Sequence, residues 1–252
     1  MKLSLYFVLL LLVFSSSCKK KTVVPEPTPE IKKSLDSVES VNLKFNTALT
    51  YGKLIDIEGN VYQTIKIGDD TWMAENLRTS HYLNGDTITQ IIDYDSDISL
   101  LDTPKCYISF DSDTASINYA NAYTWFTVND TRGICPFGWH IPILKDWDNL
   151  LISIGGEIAT AGKLKEVGVM HWVSPNEDAT NESGFTAVGA GYQSKNGNRL
   201  FLTSGAMWWT NTPYFTDYAW SISIKTGSSN VTKSFNQNKK DALPVRCVKN
   251  KI

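Results

Sequence analysis

The residues with most chemical potential in this chain are four cysteines, three histidines, two knots of carboxylates and amides, and one crowd of aromatic rings. The stretch RGICPFGWHIPILKDWDNL, residues 132–150, places Cys135 near His140, yet no second cysteine or histidine lies at the spacing that a zinc site uses. Cys106, Cys135 and Cys247 therefore read as thiols that pair with each other, as they do in oxidising compartments. Three is an odd number, so one is left over, and the residues alone leave the pairing open. His81, His140 and His171 are far apart in the sequence. No Gly-x-Ser-x-Gly elbow, His-Glu-x-x-His helix or phosphate loop accompanies them. Acid–base or nucleophilic catalysis is not what these residues announce, and the expectation is that the chain is not an enzyme.

Oxygen ligands are a second candidate chemistry. In DYDSDISLLDTP, Asp93, Asp95 and Asp97 take the first, third and fifth positions of a calcium loop. Ile98 then stands where glycine is needed and Pro104 where a bidentate glutamate belongs, so that loop fails. In SPNEDATNES, Asn176, Asp178, Asn181 and Glu182 cluster the hard donors that a structural calcium ion prefers. The aromatic crowd is Trp208, Trp209, Tyr214, Phe215, Tyr218 and Trp220. Flat rings stack on sugar faces and give large contact areas at low entropy cost. Adjacent Trp208 and Trp209 point opposite ways in a strand, which predicts one ring for the core and one for a surface.

The elements that must position these groups begin after a leader. Lys2, the apolar run LSLYFVLLLLVF and a serine triplet make a secretory signal peptide over residues 1–17, too short to span a bilayer. Cys18 directly after small residues resembles the lipobox of bacterial lipoproteins. That resemblance implies cleavage before Cys18, acylation of its thiol and amine, and a lasting anchor in the outer membrane of the cell envelope. Residues 18–50 read as a charged, proline-punctuated tether with a short amphipathic helix over 31–43. Removing Lys2 with the leader leaves 23 basic groups against 26 acidic ones. No clustered basic excess points to nucleic acid.

Residues 51–252 form the domain. Val61, Ile65 and Ile67 predict a strand between turns at Glu58-Gly59-Asn60 and Gly68-Asp69-Asp70. The spacing of Ile117, Ala120, Tyr123, Trp125 and Phe126 predicts a first helix. Trp147, Leu150, Leu151 and Ile154, closed by Gly155-Gly156, predict a second. Short strands follow, and Leu243, Val245 and Cys247 fall on one face of the last. Two helices with short, mostly antiparallel strands make an α+β class.

The ordered words DIEGNVYQTIKIGDDTWMAENLRT, CYISFDSD, INYANAYTWFTVN, CPFGWHIPILKDWDNL, GKLKEVGVMHWVSPNEDATNESGFTAVGAGYQ, MWWTNTPYFTDYAWSISI and PVRCVK resemble the Fibrobacter succinogenes major paralogous domain, a family of secreted bacterial proteins without an assigned activity. More distantly, WHIPILKDWDNL is similar to a helix start of formylglycine-generating enzymes, whose sulfatase-modifying-factor fold is a C-type-lectin-like variant. The resemblance implies a C-type-lectin-like domain with a disulfide from Cys135 to Cys247, leaving Cys106 unassigned; a Cys106–Cys135 bond is the competing connectivity. Formylglycine generation needs a late pair of reactive cysteines to hold copper, and only Cys247 stands there. Lectins of the related fold hold calcium and sugar with Glu-Pro-Asn and Trp-Asn-Asp; Ser174-Pro175-Asn176 and Trp209-Thr210-Asn211 echo these, each short of a carboxylate. Asn211 joins the ligand candidates on that ground. The expectation is a lipid-anchored, non-catalytic module for a glycan or envelope-protein ligand, with a structural envelope component as the alternative.

Overall fold

The computed structural model describes residues 43–91, 96–103, 105–109 and 119–251, all within one compact unit. The signal peptide, Cys18, the expected helix up to residue 42, and Asp93 and Asp95 lie outside the described residues. The packed body starts before Tyr51, because Phe45 and Leu49 already lie on the core and the Lys44 N–H donates to Glu166 Oε1 at 2.6 Å.

Three sheets carry the fold. The first runs β1 (Gly52–Ile55), β2 (Val61–Ile67), β3 (Asp70–Met73), β14 (Val248–Lys249), β7 (Trp139–His140). The second runs β4 (Thr89–Gln90), β5 (Cys106–Ser109), β6 (Asn121–Thr124), β13 (Ala242–Pro244), β8 (Tyr192–Gln193), β9 (Arg199–Leu200). The third is β10 (Gly205–Pro213), β11 (Tyr218–Lys225) and β12 (Thr232–Asn238). Pairing is antiparallel except between β4 and β5. Three short helices complete the described elements: α1 (Trp125–Val128), α2 (Leu144–Ile154) and α3 (Ala161–Leu164).

The expected β2 strand forms, and the turn at Gly68 holds φ +60°, which suits a residue without Cβ. Helix α2 buries Trp147, Leu150, Leu151 and Ile154 and stops at Gly155 in the left-handed conformation. Its first turn has half a capping box: the Ile143 N–H donates to Asp146 Oδ2 at 2.9 Å. Over 119–126, the described part of the first expected helix, a strand takes its place. Ala120 has φ +68°, which breaks a helix, and Asn121–Thr124 is instead a fully buried strand between β5 and β13. Only the single turn α1 remains. Short apolar runs fit either period, and the two flanking strands decide the outcome.

Strand β10 divides the core. Ala206 and Trp208 enter one cluster with Trp72, Trp147, Phe185 and Ile222, in which the Trp147–Trp208 centroids lie 5.7 Å apart. Met207 and Trp209 enter the other with Tyr62, Tyr123, Leu243 and Val245. Cys135 and Cys247 form a disulfide in that second cluster, across 112 residues of sequence. A loop of that length removes about 4–5 kcal/mol of unfolded-chain entropy. Cys106 is free and buried.

Candidate functional site

Both faces of β10 are covered, so the expectation that one of Trp208 and Trp209 faces a surface is corrected. They are 1% and 0% exposed. The Trp208 indole N–H donates to Asn76 Oδ1 at 2.9 Å, and the Trp209 indole N–H to the Tyr123 carbonyl at 2.7 Å. These rings hold the fold and are withdrawn from the ligand candidates. Asn211 is half-buried, and its N–H donates to the Pro142 carbonyl at 2.8 Å, which ties β10 to the start of α2.

The remaining aromatics come together where β10 turns into β11. The Tyr214 and Phe215 N–H groups both donate to the Tyr218 carbonyl, at 3.0 and 3.2 Å, closing a tight connection. The Tyr214 ring lies 4.4 Å from Phe215, 5.9 Å from Trp220 and 4.8 Å from Phe235, and Trp220 lies 5.7 Å from Phe235. Phe215 is 66% exposed and Phe235 48%. Tyr214 and Tyr218 are exposed as well, and Trp220 is half-buried. Edge-to-face and tilted rings of this kind support one another beyond their buried area.

Lysine fixes the cluster's loop. Lys239 Nζ donates to the Phe215 carbonyl at 2.8 Å and the Thr216 carbonyl at 3.0 Å, and it lies 4.4 Å from the centre of the Trp125 ring. Burial pushes its pKa down. Phe235 and Lys239 were not singled out by sequence reasoning. Both flank polar residues on or just after β12, where no apolar pattern marks them.

Of the calcium candidates, the two asparagines are tied into their own loops and the two carboxylates stay at the surface. Asn181, 1% exposed, accepts the Thr186 N–H at 2.9 Å through Oδ1 and donates to Thr186 Oγ1 at 2.9 Å through Nδ2, so it staples a loop. Asn176 turns its amide nitrogen to the carbonyls of Glu166 and Gly168. Glu182 reaches Lys163 at 3.6 Å, and Asp178 sits exposed at φ +57°. Among the described residues no group of three or more His, Cys, Asp or Glu side chains is arranged to hold a metal ion.

Each histidine has its own carboxylate, which spacing did not reveal. His81 Nδ1 lies 2.7 Å from Glu58 Oε1, His140 Nε2 3.1 Å from Asp146 Oδ2, and His171 Nδ1 2.6 Å from Glu166 Oε2. Ser80 Oγ beside His81 suggests a hydrolytic triad, but it meets the same Nδ1, at 3.1 Å, that faces Glu58. A triad needs the hydroxyl and the carboxylate on opposite ring nitrogens. The Glu58 carboxyl is raised by burial and lowered more by hydrogen bonds from His81, Ser80 and Thr79, ending below its ordinary value. It is a turn anchor. The Cys106 thiol, pushed up to about 11 by burial, is a poor nucleophile.

Among the described residues no helix is long and apolar enough to cross a membrane. The family model described as Fibrobacter succinogenes major domain matches residues 65–249. No curated protein and no solved structure matches the chain.

Proposed function

We propose that this chain, which belongs to the Fibrobacter succinogenes major domain family, is a lipid-anchored cell-envelope protein whose C-type-lectin-like domain binds a glycan or protein ligand without catalysing a reaction. One observation carries the reading. Tyr214, Phe215, Trp220 and Phe235 form a contiguous aromatic face that is half open to solvent and backed by Lys239. Rings left in water rather than buried are a standing opportunity for a partner, because each offers a large apolar area in a fixed orientation. Backbone fixation by Lys239 lowers the ordering cost that a flexible loop would add to binding.

The anchor belongs to the same reading and rests on the leader sequence and Cys18. Mass analysis of the native protein should find acyl chains on that residue. Ligand binding is tested with a glycan array and an envelope pull-down, using the folded wild type beside Phe235→Ala and Trp220→Ala. Retention by the wild type and loss in both variants is the expected result. A folded wild type that retains nothing removes the ligand reading and leaves a structural envelope component.

A further inference from the structure

The aromatic face occupies one end of β10; a second apolar surface occupies the other. Just before Gly205 the chain makes a tight turn, and beside it runs the loop 167–173. Val167, Val169, Met170, Val173, Phe201 and Leu202 are all exposed, Val169 by 58% and Met170 by 49%. Hydrogen bonds stitch the two segments together. The Val173 N–H donates to the Thr203 carbonyl at 2.7 Å, the Thr203 N–H to the Gly189 carbonyl at 2.6 Å, and the Gly189 N–H to the His171 carbonyl at 3.2 Å. Phe201 and Thr203 hold φ of 60° and 59°, a region that bulky and β-branched residues avoid. The Ser204 and Gly205 N–H groups both bond the Phe201 carbonyl and keep the turn in that shape. The backbone is held in a costly conformation that leaves a phenyl ring outside.

Two exposed lysines rim the patch. Lys225 Nζ lies 4.2 Å from the centre of the Phe201 ring. Lys44 Nζ lies 2.9 Å from where a Cβ on Gly168 would stand. Of the acids near by, one is buried and two are exposed. Glu166 is buried between the Lys44 N–H and His171, and Lys165 Nζ donates to the Glu177 carbonyl at 3.4 Å, while the Glu177 and Asp178 carboxylates are exposed.

We propose that this surface rests on a phospholipid membrane bearing anionic headgroups, with Val169, Met170 and Phe201 entering the headgroup–acyl boundary and Lys44 and Lys225 meeting phosphates. The inference rests on the lipid-anchored reading above. A lipid surface is favoured over a protein partner by three features. Aliphatic side chains with a cationic rim match it in chemistry. Lys44, at the rim, is where the chain that leads back to Cys18 joins the packed body. The nine residues of β10 separate this patch from the aromatic face by about 25 Å, at about 3.3 Å per residue, so a domain seated here presents its rings away from the membrane.

The test uses the mature chain, residues 18–252, with Cys18→Ser, which removes both the apolar leader and the acyl contribution, and vesicles of phosphatidylethanolamine and phosphatidylglycerol at about 3:1, with pure phosphatidylcholine as the neutral comparison. Co-sedimentation with the anionic vesicles is expected, reduced about tenfold by Val169→Asp with Met170→Asp. Lys44→Gln with Lys225→Gln, and the neutral vesicles, should each weaken it severalfold. A polarity-sensitive dye on Met170→Cys should shift to the blue with anionic vesicles, while the same dye on Phe235→Cys should not. This second readout needs no destabilising charge. No sedimentation, sedimentation indifferent to these substitutions, a dye at 170 that stays in water, or self-association through 169–170 would each overturn the proposal. If Cys18 of the native protein is acylated while these tests fail, the patch alone is refuted; if Cys18 is unmodified, the anchor reading fails first.

Discussion

Lys239 grips Phe215 by its backbone and leaves its ring free. The ammonium donates to the carbonyls of Phe215 and Thr216 and lies over the Trp125 ring, so a buried cation in the body fixes a loop whose aromatic groups stay in water. Lys239→Met keeps most of the stem packing and removes the two donations. The expected cost is about 1–2 kcal/mol of stability, with faster amide exchange at Tyr214 and Phe215. Unchanged exchange at those two amides would show that the lysine does not order the loop.

The aromatic residues divide into two mechanical classes. Trp208→Ala or Trp209→Ala empties a buried site and should cost about 3–5 kcal/mol in denaturant unfolding. Phe235→Ala, on the open face, should cost about 1 kcal/mol or less while removing ligand retention. Equal destabilisation by all three would mean that the aromatic face is part of the core.

The Cys135–Cys247 bond should be the strongest single constraint on the domain. Cys135→Ser with Cys247→Ser is expected to lower the melting temperature by about 10 °C, as a loss of about 4 kcal/mol implies for a domain of this size. Peptide mapping without reductant should find Cys106 as a free thiol that alkylates only after unfolding, since it is buried. Alkylation of Cys135 or Cys247 in native protein would break the assignment.

A pH effect follows from His140 and Asp146. The hydrogen bond to Asp146 raises the His140 pKa, so its contribution is complete below the unfolded value of about 6.5 and is lost as pH rises through the higher folded value. Burial raises the Asp146 carboxyl, but the bonds from His140 and the Ile143 N–H outweigh it, leaving a value below the ordinary one. Its contribution is present above about pH 4 and fades as pH falls through the folded value. Stability from the pair is therefore greatest between about pH 4 and 6.5. With the imidazole 40% exposed, the effect stays below about 1 kcal/mol. Melting curves from pH 5 to 8 should show the wild type losing stability towards pH 8 more than His140→Gln does; parallel curves would refute the coupling.

Much of this was legible where one segment decides its own fate. Residues 61–67 alternate between glycine turns, 144–154 carry a helical stripe ended by glycine, and Leu243, Val245 and Cys247 share one buried face as expected. The sequence could not tell that Asn121–Thr124 is a strand, because β5 and β13 impose that from a distance. Nor could it tell that β10 has a core on each side, which depends on Tyr123 and Phe185 arriving from far along the chain. Of the aromatic face, Tyr214, Tyr218 and Trp220 stand out by local density, whereas Phe235 joins only through the pairing of β11 with β12.

Eight residues, 242–249, fill the interior of both larger sheets: β13 lies between β6 and β8, and β14 between β3 and β7. Arg246 between them is fully buried, with its guanidinium donating to Asn76 Oδ1 and to the carbonyls of Phe185 and Thr186. During biosynthesis neither sheet becomes continuous until this segment has left the ribosome. Assembly thus waits for contacts of long sequence separation, which form slowly and leave strand edges open meanwhile. A polypeptide released before residue 242 would hold two sheets, each split down its middle, and nothing elsewhere in the described chain is placed to close them.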